Sequence, residues 1–248
     1  MTNKKLKIAT MLWATHTPII ENVKKDIDMD ILCIEYSHAK NSDLNVKETL
    51  DKLDDADIIV LFKSNTKFWN DLENELSKVK HNKKIVSFGT DPTSWYLTSV
   101  NPEIAVNAYK YLINSGEENF KRMFMYLGNS LCGTEYEILP PVEMPWQGII
   151  HPDAPDTVFS TVEEYIEWYR PRHEKWVGII ASRPMWMMDG CSIEKEFLRH
   201  LEETGINVIL IFTTFSKNTE LGALSVSENI SEFFFMNGNP IVDAMVKF

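Results

Sequence analysis

The chain has 248 residues, of which 44% are apolar, so it carries enough hydrophobic side chains for one large core or two smaller ones. Its 36 acidic residues outnumber the 25 basic ones, giving a formal net charge of −11, and this balance argues against nucleic-acid binding. The apolar runs are strand-sized, far below the about 20 residues that cross a bilayer, and the amino terminus lacks a signal-peptide pattern. The sequence therefore predicts a cytoplasmic protein that binds neither nucleic acid nor membrane.

Apolar runs and amphipathic stretches alternate through the first ninety residues, which predicts a parallel sheet covered by helices. The predicted strands are residues 6–13, 31–36, 57–62 and 85–88, and the predicted helices are 19–28, 46–53 and 68–79. Ligands of such sheets favour the carboxyl ends of the strands, which here are followed by loops 14–18, 63–67 and 89–95. None of these loops contains a glycine-rich phosphate cradle, so nucleotide binding is not predicted for this part of the chain.

The middle of the chain predicts a pair of helices followed by a proline-rich connection. Asn101-Pro102 is typical of a helix start, Gly116 is expected to end that helix, and Gly128 to end the next one. Residues 129–159 contain five prolines and are expected to be irregular but ordered. Ser160 then begins a predicted capping box and a helix that Pro171 closes.

The last part of the chain predicts the start of a second α/β region. Strand 177–181, helix 193–204 and strand 206–212 form a βαβ unit, followed by a helix near 227–235 and a strand-like run over 241–248. Because the sequence stops inside that apolar run, we expect a truncated domain. The predicted division is 1–100 for an α/β domain, 101–175 for the helical pair and connection, and 176–248 for the second α/β domain.

Few residues suggest chemistry by their pattern alone. The three cysteines are too widely spaced for a disulfide framework or a local zinc site, and no metal ligands are predicted. His151 lies between apolar residues and Pro152, so its ring needs a partner, either as a structural hydrogen bond or in a functional role. Glu202 and Glu203 are interpreted as a solvated helix face.

A second candidate is the predicted loop 182–190, which follows the carboxyl end of a strand. It places Arg183 beside the apolar side chains of Met185 and Trp186, a combination suited to a flat ligand that carries carboxylates. The alternative is that Met185 and Trp186 pack on a neighbouring domain while Arg183 pairs with an acid.

Several motifs, in order, resemble those of one family, the large subunit of cobaltochelatase (CobN) and the related magnesium chelatase H subunit. They are residues 108–112 with 116–120; residues 148–155 with Phe159, Tyr165, Trp168 and Tyr169; residues 177–180 with Arg183; residues 201–209 with Phe212; and residues 242–244. Two departures are Ser115, where the family pattern has glycine, and the Pro184-Met185-Trp186 sequence. Members of the family are typically several times longer, so the chain resembles an N-terminal segment of such a subunit.

The fold that the sequence patterns predict is two flavodoxin-like or Rossmann-like parallel-sheet regions joined by a helical pair and a proline-rich connection. The resemblance implies a role in ATP-dependent insertion of a divalent metal, cobalt or magnesium, into a tetrapyrrole macrocycle. It implies that the metal is a substrate and that AAA+ partner subunits use the ATP. It also implies a proton-transfer, metal-guiding or site-shaping role for His151 and a carboxylate contact for Arg183, beside Met185 and Trp186. Two alternatives remain: a non-catalytic tetrapyrrole-binding module and a structural docking domain.

Overall fold

The computed structural model of the chain describes residues 5–36, 44–89 and 92–248. The chain folds into two compact units, Met1–Glu143 and Met144–Phe248. The predicted middle segment, 101–175, is thereby divided between the two units, with the helical pair in the first.

The first unit contains a fully parallel sheet of four strands, as the sequence predicts. The strands are β1 (Leu6–Met11), β2 (Met29–Cys33), β3 (Ile58–Lys63) and β4 (Ile85–Gly89), in the order β2-β1-β3-β4. The intervening helices are α1 (Thr17–Val23), α2 (Val46–Asp54) and α3 (Lys67–Val79). Alternate strand residues supply two apolar clusters, since successive side chains point to opposite faces of the sheet.

The helical pair packs on one face of this sheet. It consists of α4 (Pro102–Asn114) and α5 (Gly116–Cys132), whose apolar residues join the cluster that contains Ile8 and Val60. The predicted end at Gly128 is wrong, because α5 continues to Cys132 and Gly133 caps it in the left-handed region, with φ 69°. Gly128 instead permits close packing, since a Cβ there would lie 2.7 Å from Thr134 Oγ1.

The second unit contains a mixed sheet of five strands. The strands are β5 (Gly148–His151), β6 (Ala154–Phe159), β7 (Trp176–Ser182), β8 (Asn207–Thr213) and β11 (Ala244–Lys247), and their order in the sheet is β11-β7-β8-β5-β6. β7, β8 and β11 are parallel, whereas β5 runs antiparallel to β8, and β6 antiparallel to β5. The α/β class is confirmed, but the prediction that residues 129–159 are irregular is wrong for β5 and β6. Pro155 is accommodated because β6 is an edge strand.

Four helices and a short hairpin complete the second unit. The helices are α6 (Val162–Tyr169), α7 (Arg183–Asp189), α8 (Ser192–Glu203) and α9 (Val226–Phe233), and the hairpin strands are β9 (Phe235–Met236) and β10 (Asn239–Pro240). The predicted loop 182–190 is therefore mostly helical, with Ser182 as its cap and Pro184 in its first turn.

The capping of α6 also differs from the prediction by one residue. The Oγ1 atom of Thr161, not the side chain of Ser160, accepts from the Glu164 N–H at 3.2 Å. Ser160 contributes its backbone N–H, which donates to Glu164 Oε2 at 3.0 Å. This shifted arrangement provides acceptors for two backbone N–H groups at the helix start.

In the part of the chain that the structure describes, no helix combines the length and apolar character needed to cross a membrane.

Candidate functional site

His151 is the last residue of β5 and is 2% exposed. Ile150, the residue before it, pairs with Leu210 of β8, so His151 lies toward the amino end of β8. The site therefore forms at the end of the sheet where β8 begins, opposite the end that holds the carboxyl ends of β7 and β8. A buried imidazole needs partners for both ring nitrogens.

Both nitrogens of the His151 ring have hydrogen-bond partners. Nδ1 accepts from the Asp153 N–H at 3.1 Å, and Nε2 lies 3.3 Å from Glu202 Oε1. Because Nδ1 acts as an acceptor, the neutral ring carries its proton on Nε2 and donates it to Glu202. The backbone after β5 thus selects the tautomer that faces the carboxylate.

Aromatic side chains of α6 surround the His151 ring. The ring centroid lies 5.0 Å from Trp168 and 5.6 Å from Tyr169. Burial lowers the pKa of His151, and the nearby Glu202 carboxylate opposes that shift. The geometry and the direction of the pKa shift agree on a neutral imidazole at neutral pH.

Glu202 lies in the last turn of α8, where its carboxylate is shared by His151 and Tyr169. Burial, with a further contribution from Glu202, raises the pKa of the Tyr169 phenol, which keeps that group protonated. The interpretation of Glu202 as a solvated residue is therefore wrong, although Glu203 beside it is exposed. Helical periodicity places neighbouring residues on different faces, and only the fold decides which face meets β5.

The segment 170–173, which connects α6 to the residues before β7, forms another side of the site. Asn207, 1% exposed, fixes its backbone: Oδ1 accepts from the N–H groups of Arg172 and His173 at 3.1 and 3.3 Å. The Asn207 amide also donates to the His173 carbonyl at 2.6 Å. These three bonds hold the segment against the start of β8.

A cavity of about 400 Å³ lies among these elements. Such a volume is at the lower end of the range for small-molecule sites. Its lining residues are His151, Asp153, Trp168, Tyr169, Arg170, Arg172, His173, Glu202 and Asn207. The lining combines an aromatic surface with charged groups of both signs.

Arg183 occupies a different part of the second unit. It is 5% exposed, its Nε donates to the Pro145 carbonyl at 2.8 Å, and its guanidinium lies 4.1 Å from the centroid of the Trp146 ring. Burial lowers the pKa of Arg183 to about 10. These contacts anchor the segment that leads into β5, and the predicted ligand contact of Arg183 stays a prediction.

Met185 and Trp186 pack within their own unit. Both join an apolar cluster that includes Leu198 and Leu210. The Trp186 ring stacks on Phe212, with centroids 4.0 Å apart and an interplanar angle of 13°. Of the three side chains that suggest a flat-ligand surface in the sequence, Met185 and Trp186 therefore have packing partners inside their own unit.

The structure does not bring His151 and Arg183 together. Arg183 follows Ser182, which pairs with Thr213, whereas His151 follows Ile150, which pairs with Leu210. About five residues of extended strand separate the two positions, or roughly 17 Å. They therefore lie toward opposite ends of the sheet and do not line one cavity.

Comparison with known proteins decides the family. The family model CobN/Magnesium Chelatase matches residues 109–248, more than half of the chain. The chain belongs to this family.

Relatives and a solved structure extend the likeness to nearly the whole chain. "Uncharacterized protein MJ1441" of Methanocaldococcus jannaschii is 25% identical over 97% of the chain, and "Uncharacterized protein MJ0908" of the same organism is 27% identical over 60% of it. The catalytic subunit of cobaltochelatase from Mycobacterium tuberculosis has a similar fold, with TM-score 0.54, 16% identity and 97% of the chain covered. The chain spans only 18% of MJ1441, 12% of MJ0908 and 18% of the cobaltochelatase subunit.

The family-matched region contains the whole cavity, yet several of its residues carry no sequence signal on their own. Tyr169, Glu202 and Asn207 fall within the family-like motifs and Arg172 does not, and among these residues only His151 is conspicuous by itself, as a polar residue within an apolar stretch. Within residues 5–36, 44–89 and 92–248, no group of three or more His, Cys, Asp or Glu side chains is arranged to hold a metal ion.

Proposed function

We propose that the chain is part of the large, tetrapyrrole-binding subunit of an ATP-dependent metal chelatase, which inserts cobalt or magnesium into a corrin- or porphyrin-type macrocycle. The observation that carries this proposal is the family match over residues 109–248, which includes every residue that lines the cavity. The fold shared with a cobaltochelatase catalytic subunit supports it.

The chemistry of metal insertion calls for a proton acceptor. A divalent metal displaces two pyrrole N–H protons from the macrocycle, and a positioned base that accepts them lowers the barrier. The His151–Glu202 pair has the required properties, since the carboxylate is half-buried at the cavity and the neutral imidazole donates to it. We assign proton acceptance to this pair, with Glu202 facing the cavity and His151 orienting it from behind.

The remaining functions are assigned to other components. The metal is a substrate, and AAA+ partner subunits bind and hydrolyse ATP, in agreement with the lack of a phosphate-binding glycine loop in the sequence. The proposed setting is the cytoplasm.

The first test is binding of the macrocycle. The purified chain is titrated with a metal-free corrin and a metal-free porphyrin while their absorption spectra are recorded. A saturable shift supports the proposal, and the macrocycle that binds more tightly identifies the preferred class. If neither spectrum changes, the tetrapyrrole-binding role is wrong and docking becomes the better interpretation.

The second test separates chelation from binding alone. Because the chain alone is not expected to insert metal, the whole large subunit that contains it is mixed with cobalt or magnesium, ATP and the AAA+ partners, and metal insertion is followed by absorption. Glu202→Gln is expected to slow insertion by about 100-fold or more while macrocycle affinity is retained. Glu203→Gln, a change of the neighbouring exposed carboxylate, is the matched control. Insertion that proceeds equally in both variants overturns the assignment of the base.

A further inference from the structure

We infer that the cavity beside His151 is a carboxylate-binding site in which Arg170 and Arg172 bind an acidic side chain of the ligand. The inference rests on the proposed function, because it names the part of the macrocycle that enters this cavity. The cavity is about 400 Å³, within the range of small-molecule sites, so it has room for an acidic side chain and for the adjoining part of the ring that Glu202 faces.

The charges around the cavity are unevenly paired. Both acids already have partners: Asp153 Oδ1 accepts from Arg199 at 3.0 Å, and Glu202 accepts from His151 at 3.3 Å. Within the described residues, the side chains of Arg170 and Arg172 make neither a hydrogen bond nor an ion pair. Two exposed guanidinium groups therefore stand at the cavity, in a chain whose net charge is −11, with their donors available to an anion.

The backbone that carries these arginines is held in place before any ligand arrives. Asn207 fixes Arg172 and His173 through their N–H groups, and the Arg170 N–H donates to the Ile166 carbonyl at 3.0 Å. A fixed backbone reduces the conformational entropy that binding has to remove. The arginine side chains thus extend from an anchored turn.

The conformation of Arg170 is also unusual for its residue type. It ends α6 in the left-handed region, with φ 51°, where glycine or asparagine is the common residue. Arginine gains nothing from this backbone geometry, whereas its side chain lines the cavity.

The neighbouring aromatic surface fits the same ligand. Trp168 is 39% exposed, lines the cavity and packs edge-on against the His151 ring. Its exposed part offers an apolar surface next to the two guanidinium groups. Flat rings with acidic side chains combine these two chemical features.

The test compares two forms of one corrin, one with its peripheral carboxylates free and one with them amidated. Affinities are measured by absorption for the wild-type chain, Arg172→Gln and Arg170→Asn, since asparagine tolerates the left-handed conformation. Lys175→Gln is the matched control, because it removes the same charge from an exposed residue paired with Asp243 outside the cavity. Circular dichroism establishes that each variant is folded.

We expect the carboxylate form to bind the wild-type chain about tenfold or more tightly than the amide form. Each arginine variant should reduce that preference, and Lys175→Gln should keep it. If the two corrins bind the wild-type chain equally, or if the preference survives both arginine changes, the carboxylate site is wrong while macrocycle binding stands.

A titration with a small dicarboxylate distinguishes failure of this inference from failure of the proposed function. If neither corrin binds, the macrocycle role fails, and succinate is titrated while the ring resonances of His173 are followed by NMR. Saturable shifts that disappear in Arg172→Gln support a carboxylate site without a macrocycle. Unchanged resonances overturn the site as well.

Discussion

His151 Nε2 lies 3.3 Å from Glu202 Oε1, which joins the end of β5 to the last turn of α8 across 51 residues of sequence. The contact exists because β5 adds to β8 in the antiparallel direction and so brings His151 back to the amino end of β8. Helix α8 ends at the same end of the sheet, shortly before β8 begins. The contact between His151 and Glu202, the proposed base, therefore depends on the order and direction of the strands.

Replacement of His151 by phenylalanine tests how much this pair contributes to stability. The aromatic contacts with Trp168 and Tyr169 are largely retained, but the Asp153 N–H and the Glu202 carboxylate each lose a partner. We expect the free energy of unfolding to fall by about 1–3 kcal/mol. Chemical denaturation measures the change, with His200→Phe at an exposed position as the control. Equal stabilities of the two variants would show that the His151 hydrogen bonds contribute nothing.

His16 predicts a specific loss of stability in acid. Burial lowers the pKa of its ring from 6.5 to about 4, so between these values the unfolded chain binds the proton that the folded chain excludes. Stability is therefore complete above pH 6.5 and declines as the pH falls toward 4. Between pH 7 and pH 5 the loss is at most about 2 kcal/mol.

His16→Leu should remove this part of the pH dependence and keep an apolar contact with Phe120. The measurement is the free energy of unfolding at pH 7 and pH 5 for the wild-type chain, His16→Leu and the exposed control His81→Leu. The buried His151, whose pKa is also lowered, leaves a residual dependence in every sample. An identical pH response of His16→Leu and the wild-type chain contradicts the prediction.

Two adjacent substitutions test the cap of α6. Thr161→Ala removes the acceptor for the Glu164 N–H and should cost about 0.5–2 kcal/mol. Ser160→Ala should have little effect, because Ser160 contributes its backbone N–H, which alanine retains. Thermal or chemical unfolding of the pair measures the difference. The reverse order of stabilities would restore Ser160 as the cap.

One set of variants tests both the structural contacts of Arg183 and its predicted contact with a ligand carboxylate. Arg183→Ala removes the charged hydrogen bond to the Pro145 carbonyl and the contact with Trp146, so we expect a stability loss of about 1.5–3 kcal/mol. Arg183→Lys should recover only part of this loss, because lysine lacks the planar fork. Unfolding experiments are paired with corrin titrations. Undiminished stability together with weakened corrin binding would instead establish the ligand contact that the sequence predicts.

Local patterns were sufficient to predict much of the fold. The four strands of the first sheet, helices α2 and α3 and the β7-α8-β8 unit follow from apolar periodicity and end signals, within a few residues. The errors share a cause. Propensity alone gives the wrong structure for Gly128, Pro155 and the 182–190 segment, because packing against Thr134, an edge-strand position and a serine cap decide their structures.

The candidate site shows the same division between local and tertiary information. A polar ring between Ile150 and Pro152 predicts that His151 needs a partner, and the ordered motifs indicate the family, both from the sequence alone. The identity of the partner, the cavity and the separation of His151 from Arg183 depend on which strands pair and in which direction. Strand pairing joins residues far apart in sequence through backbone hydrogen bonds common to all residue types, so one sequence read locally does not determine it.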